Sequence, residues 1–133
     1  MKYLLDVNAL IAYAITNHIF HIRVTSWANS LVKDASEFST SSITELGFVR
    51  IVSQVPSYGV NVDKARDLMV RLKETSPIGF SFILDNHDIS HLPLWVKSAK
   101  HTTDGHLAKL AASNGAILAT LDENIPGSFV IPK

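Results

Sequence analysis

The chain contains no cysteine. That excludes a disulfide framework, a thiolate zinc site and a cysteine nucleophile, and it suits a reducing compartment. Excess charge of one sign is also missing, since 12 basic residues balance 12 acidic ones. A protein that coats DNA through a strongly basic surface is therefore excluded, whereas a local basic patch for RNA is not. No apolar run approaches the ~18–20 uninterrupted residues of a membrane helix. The apolar stretch Tyr3–Ile15 is interrupted by Asp6 and Asn8, and a signal peptide keeps its apolar core free of carboxylates. Repeats, low-complexity tracts and linkers rich in Pro, Gly or Ser are absent as well. What remains is 47% hydrophobic and 18% charged, with a mean hydropathy of +0.18. This composition excludes a disordered chain, a coiled coil and a collagen-like repeat. The 133 residues match one domain, residues 1–133, against a prior of ~150 per domain. The expectation is a soluble, cytoplasmic protein.

Along the chain, strand-like and helix-like patterns alternate. Lys2–Asp6 is a short apolar run ending in a carboxylate. Helices are predicted over Ala9–Ile15 and over His18–Asp34, the second with Ile22, Trp27, Leu31 and Val32 at roughly helical spacing. Glu37–Thr40 reads as a strand. A helix is predicted from Ser41 or Ser42 to about Val52, ahead of Pro56. Over Asp63–Glu74 an amphipathic helix gathers Ala65, Leu68, Met69 and Leu72 on one side, and Pro77 and Gly79 stop it. Phe80–Leu84 is a predicted strand. Ile89–Val96 is an ambiguous short helix interrupted by Pro93. Thr103–Ser113 reads as a helix closed by the C-cap signal Asn114-Gly115. Ala116–Leu121 is a continuous apolar run of the kind a strand covered on both faces needs. Phe129–Ile131 is a last short strand candidate. This alternation implies βαβ units and a parallel sheet with helices on both faces. Ligands of such sheets sit outside the carboxyl ends of the strands, near the point where the strand order reverses.

Two apolar strand candidates end in aspartate, at Asp6 and Asp122. Two helices begin near an acid, Glu45 and Asp104. If the strands are parallel neighbours, all four carboxylates emerge at one edge. Two carboxylates about 5 Å apart repel by roughly 3 kcal/mol at an effective dielectric of ~20. Six such pairs would total on the order of 20 kcal/mol, more than a typical stability of ~5–15 kcal/mol. Four ionised acids therefore need cations, or some must hold protons. Hard divalent metals with oxygen ligands, Mg²⁺ or Mn²⁺, answer this need. Such an ion makes a nucleophile from water and stabilises charge on a phosphoryl oxygen. The pattern suggests metal-assisted phosphodiester hydrolysis without a covalent enzyme intermediate. Each acid also has a local alternative. Ser42-Ile43-Thr44-Glu45 fits a capping box, Asp104 suits a helix dipole, and Asp6 and Asp122 can each cap a helix.

At these residues the chain resembles the PIN-domain ribonucleases, and more narrowly the VapC-type toxins of toxin–antitoxin pairs. Leu4-Leu5-Asp6-Val7-Asn8-Ala9-Leu10 is similar to that family's first motif, and Thr44-Glu45-Leu46-Gly47-Phe48-Val49-Arg50 to the second. Thr103-Asp104 with Leu107-Ala108 and Leu110-Ala111 is similar to the third, and Leu118-Ala119-Thr120-Leu121-Asp122 to the fourth. Asn17-His18, His21 and Trp27 resemble a segment of one VapC subgroup. The likeness spans residues 2 to 122. It implies an α/β fold: a PIN-like three-layer α/β/α sandwich around a central, mostly parallel sheet. It also implies a Mg²⁺- or Mn²⁺-dependent endoribonuclease acting on tRNA, rRNA or mRNA, usually a homodimer, blocked by a separately encoded antitoxin. Asp6, Glu45, Asp104 and Asp122 would form its acidic site, with Asn8 and Thr120 as polar supports. One departure is Ile125, which stands where the family often carries an aromatic residue after the fourth motif.

With no net charge, RNA would need a local patch. Arg50, Lys97 and Lys100 are its candidates, while Lys109 reads as part of a solvated face. His18 and His21 read as packing or capping groups and His101 and His106 as surface residues. His87 and His91, four apart, have a spacing that zinc ligands use, but Pro93 disturbs it. Trp27 reads as core or dimer interface. Two alternatives stay open: a PIN nuclease of RNA maturation, and a binding module with a degenerate acidic site. A phosphatase with Asp6 as nucleophile would need a second acid where Asn8 stands.

Overall fold

The computed structural model describes residues 1–133. The N-terminal apolar run forms strand β1 (Lys2–Leu5), and its pleat divides its side chains between two cores. Tyr3 and Leu5 face one core, and Leu4 faces the other. Helix α1 (Val7–Ala14) follows at once, then α2 (His21–Ser30), β2 (Glu37–Thr40) and α3 (Ser42–Gln54). Helix α4 (Val62–Thr75), β3 (Phe80–Phe82), α5 (Thr102–Ser113), β4 (Ile117–Thr120) and β5 (Phe129–Val130) complete the chain. Single 3₁₀ turns occupy Pro56–Tyr58, Ile89–His91 and Ala99–His101.

The five strands form one sheet in the order β3-β2-β1-β4-β5. Every neighbouring pair is parallel. The order reverses between β1 and β4, so the crevice for a ligand opens outside their carboxyl ends. The larger core joins one face of the sheet to α1, α2, α3 and α4 through residues such as Leu10, Val24, Phe48 and Met69. The smaller core joins the other face to α5 through Leu4, Leu107, Leu110 and Leu118. Three layers result, as the resemblance implied.

Trp27 belongs to the larger core. Its ring stacks on Phe38 and Phe129 and meets Tyr3 edge-on. On α4, Ala65 and Met69 are buried and Leu68 and Leu72 pack beside them, as the periodicity predicts. Helix α5 ends as Asn114-Gly115 predicts. Gly115 has φ +67°, its N–H donates to Ala112 O, and the Ala116 N–H donates to Ala111 O. These are the two bonds of a Schellman motif.

Three expectations are corrected. The second helix is shorter than His18–Asp34. On it Ile22 is exposed, and Val32 beyond its end is exposed too, so only Trp27 and Leu31 of the predicted stripe are buried. The capping box of α3 uses Ser41 and Thr44 rather than Ser42 and Glu45. Ile89–Val96 forms no helix beyond the 3₁₀ turn Ile89–His91, because Pro93 follows too soon.

Candidate metal centre

The site begins with the end of β1. Asp6 is the N-cap of α1, and its Oδ1 accepts the Ala9 N–H at 2.8 Å. Its own N–H donates to Ala119 O of β4. The carboxyl is thus held between the two strands where the order reverses, and it is 6% exposed. Asp6 is therefore both the helix cap that the local reading anticipates and a buried carboxyl at the ligand edge. Beyond β4, the Thr120 hydroxyl accepts the Asp122 N–H at 3.0 Å, and Asp122 Oδ1 accepts the Asn124 N–H at 2.8 Å. Each aspartate thereby spends one oxygen on a backbone N–H. Asp104 comes from the first turn of α5, the helix that precedes β4.

The electrostatics match this convergence. Burial pushes the Asp6 carboxyl up to about 6, the neighbouring Thr120 hydroxyl and Ala9 N–H pull the other way, and the charges of Asp104 and Asp122 add to the rise. Burial and then the Asp122 charge also raise Asp104, against the opposing effect of His101. None of the three acids is in an ion pair with Lys or Arg. Ligand atoms of His101, Asp104 and Asp122 lie within 4.8 Å of one another. A buried carboxyl that resists ionisation, next to uncompensated acids and an imidazole, fits a hard divalent cation.

Glu45 is positioned differently. Because Ser41 and Thr44 close the capping box, the Glu45 side chain is free of the helix terminus. Its Oε2 accepts from the Thr40 hydroxyl and from Lys73 Nζ, both at 2.5 Å. Lys73, on α4, thus pairs with the fourth acid, and both Glu45 and Asp6 lie outside the close group of His101, Asp104 and Asp122. Asn8 is exposed on the first turn of α1 and lines a cavity together with Asp122 and His18. Arg50, Lys97 and Lys100 are all exposed.

His21 and His18 are structural. The His21 ring is 2.8 Å from Ala12 O, and His18 Nδ1 accepts the Phe20 N–H. His101, expected at the surface, lies beside Asp104 and Asp122 instead. Its signal was the i, i+3 spacing to Asp104 at a helix start, which puts both on one face. The pair Asp85–His106 had no signal at all, because a loop after β3 brings Asp85 to α5 from 21 residues away. Ile125, at the departure from the family pattern, is buried in the smaller core.

No family model matches the chain. Curated relatives do. The chain is 35% identical over 129 residues to Ribonuclease VapC38 of Mycobacterium tuberculosis, a match covering 92% of this chain and 86% of that one. It is 34% identical over 131 residues to Ribonuclease VapC44 of the same organism, covering 94% and 89%. To Ribonuclease VapC39, also of Mycobacterium tuberculosis, it is 34% identical over 137 residues, covering 96% and 94%.

Proposed function

The chain belongs to the VapC family of PIN-domain ribonucleases, and on that premise we propose that it is a metal-dependent endoribonuclease, the toxin of a toxin–antitoxin pair. The observation that supports this most is the buried Asp6 carboxyl facing Asp104 and Asp122 with no Lys or Arg counter-ion. In this reading Asp6, Asp104 and Asp122 hold one divalent ion, Mg²⁺ or Mn²⁺, with His101 as a further donor. When bound, the ion turns water into a nucleophile near neutral pH and stabilises charge on the phosphoryl oxygen.

The protein's own residues do the rest. The Ala9 N–H fixes Asp6 through one oxygen and orients the other. Thr120 fixes the Asp122 turn. Glu45, steadied by Thr40 and Lys73, stands beside the group to orient water or substrate. Asn8 supports the Asp122 side. The N-termini of α3 and α5 open at the same edge and favour a phosphate there. Arg50, Lys97 and Lys100 supply a local positive surface for the RNA backbone. The protein acts in the cytoplasm as a single domain of residues 1–133 that pairs into a homodimer, and a cognate antitoxin covers the site. No helix is long and apolar enough to cross a membrane.

The test is incubation of antitoxin-free protein with total RNA and with tRNA, with Mg²⁺ or Mn²⁺ and with EDTA, beside Asp6→Asn. Discrete cuts that need the ion and vanish in the variant are expected. Cuts that persist in EDTA or in Asp6→Asn overturn the proposal.

A further inference from the structure

A cavity of about 280 Å³ lies beside the acidic group and contains none of its acids. It sits among the first turns of α3 and α5 and the 3₁₀ turn Ile89–His91. One wall includes Thr103, the residue before Asp104. Another includes Ile43, two residues before Glu45. The cavity therefore shares both helix starts with the acidic site. Its volume falls just below the ~300 Å³ at which sites for drug-sized molecules begin, which suits one flat ring system.

Its rings are ordered by a polar frame. The His87 ring stacks on His91 with centroids 4.2 Å apart and meets His106 edge-on at 6.3 Å. His106 Nε2 is 2.5 Å from Asp85 Oδ2, while Asp85 Oδ1 accepts the His87 N–H. His91 is held by Asp88. His87 is the exception, because its Nδ1 is buried and has no partner. Burial and the neighbouring His91 hold the His87 ring below its ordinary range. Ile89 at the cavity rim is 81% exposed, an apolar surface left uncovered.

We propose that this cavity receives one unpaired base of the RNA, from a nucleotide flanking the phosphate that is cut; the inference rests on the ribonuclease reading above. A phosphate does not suit the cavity, since the Asp88 carboxylate is part of its lining and would repel an anion. A neutral base suits it. Its face stacks on imidazole, its edge meets the Thr102 and Thr103 hydroxyls, and its body covers Ile89 and Leu92. Protein recognition of single-stranded RNA uses this combination of stacking and edge contacts. His87 is then a residue that sets substrate preference and takes no part in bond cleavage.

The test compares wild type, His87→Ala and His87→Phe on short RNAs and on a randomised RNA pool, with cut sites read by sequencing. Stacking of a base is worth ~1–3 kcal/mol, so His87→Ala should raise KM roughly 5- to 150-fold. Its kcat at saturating RNA should stay within about twofold, its Mn²⁺ affinity should be unchanged, and base preference at one position should flatten. His87→Phe keeps the stack, so it should recover KM without the preference. In wild type, without metal, the ring resonances of His87 should shift when adenosine, guanosine, cytidine or uridine monophosphate is added. Unchanged KM and cut sites in His87→Ala overturn the inference, as does equal loss of Mn²⁺ binding or loss of protein-partner binding alone. Wild type that cuts no RNA overturns the ribonuclease reading itself, a result distinct from wild type and variant cutting alike.

Discussion

Asp6→Asn should stabilise the metal-free protein at neutral pH while abolishing its activity. Burial and the charges of Asp104 and Asp122 push the Asp6 carboxyl from 3.8 to about 6. At 1.36 kcal/mol per pH unit, that difference corresponds to about 3 kcal/mol. The sign follows from which state holds the proton more tightly. Below pH 3.8 the carboxyl is protonated in both states and costs nothing. Between 3.8 and about 6 the unfolded chain ionises first and the penalty grows. Above about 6 it is fully present. The side chain is 6% exposed, so solvent does little to screen it. Asparagine caps helices about as well as aspartate, so the Ala9 bond survives the change. With EDTA at pH 7.5, the variant should melt roughly 10 °C above wild type, and near pH 3 the two should coincide. Saturating Mn²⁺ should raise wild type by about 2.7 kcal/mol at 100 times Kd and leave the variant where it was, closing the gap. Thermal denaturation followed by circular dichroism reads all three conditions. A variant no more stable than wild type at pH 7.5, or a difference that does not change with pH, would refute the reasoning.

Other residues give sharper separations. His101→Ala removes an imidazole donor from the group of three, so calorimetry should show a larger loss of affinity for Mn²⁺ than for Mg²⁺, which takes oxygen ligands. Equal losses would remove His101 from the ligand set. Gly105→Ala would place a Cβ 2.3 Å from Val96 Cγ2; such overpacking costs about 1–3 kcal/mol, and the strain next to Asp104 should weaken Mn²⁺ binding as well as lower Tm. Trp27→Ala empties the ring cluster around Phe38 and Phe129 and should cost about 3–5 kcal/mol in urea unfolding. Metal affinity should also fall as pH drops below about 6, because the ion must then displace a proton from Asp6.

The parts of the fold legible in the sequence were those written in local pattern. The run Ala116–Leu121 read as a two-sided strand because β4 is covered by helices on both faces. Asn114-Gly115 read as a helix stop because only a left-handed glycine completes that motif. Where pattern misled, tertiary context decided. Ile22 and Val32 have apolar side chains that the fold leaves exposed. Ser42 and Glu45 have capping-box spacing, but the backbone enters α3 one residue earlier, so Ser41 and Thr44 close the box and Glu45 turns to Lys73. The nearness of Asp6, Asp104 and Asp122 could be foreseen because parallel strands put their carboxyl ends, and the helix starts beside them, together. The fold alone brings Lys73 to Glu45 across 28 residues and Asp85 to His106 across 21. Such pairs leave no trace in spacing.

If an ion held by Asp6, Asp104 and Asp122 is what lets this protein cut RNA, binding and cutting must titrate together. The direct measurement is a Mn²⁺ titration read twice on the same antitoxin-free sample, once as heat of binding and once as rate of cutting one RNA, with Asp104→Asn alongside. The two curves should share a midpoint, and the variant, still folded by circular dichroism, should lose both. Cutting that needs no ion, or a variant that cuts without binding one, would contradict it.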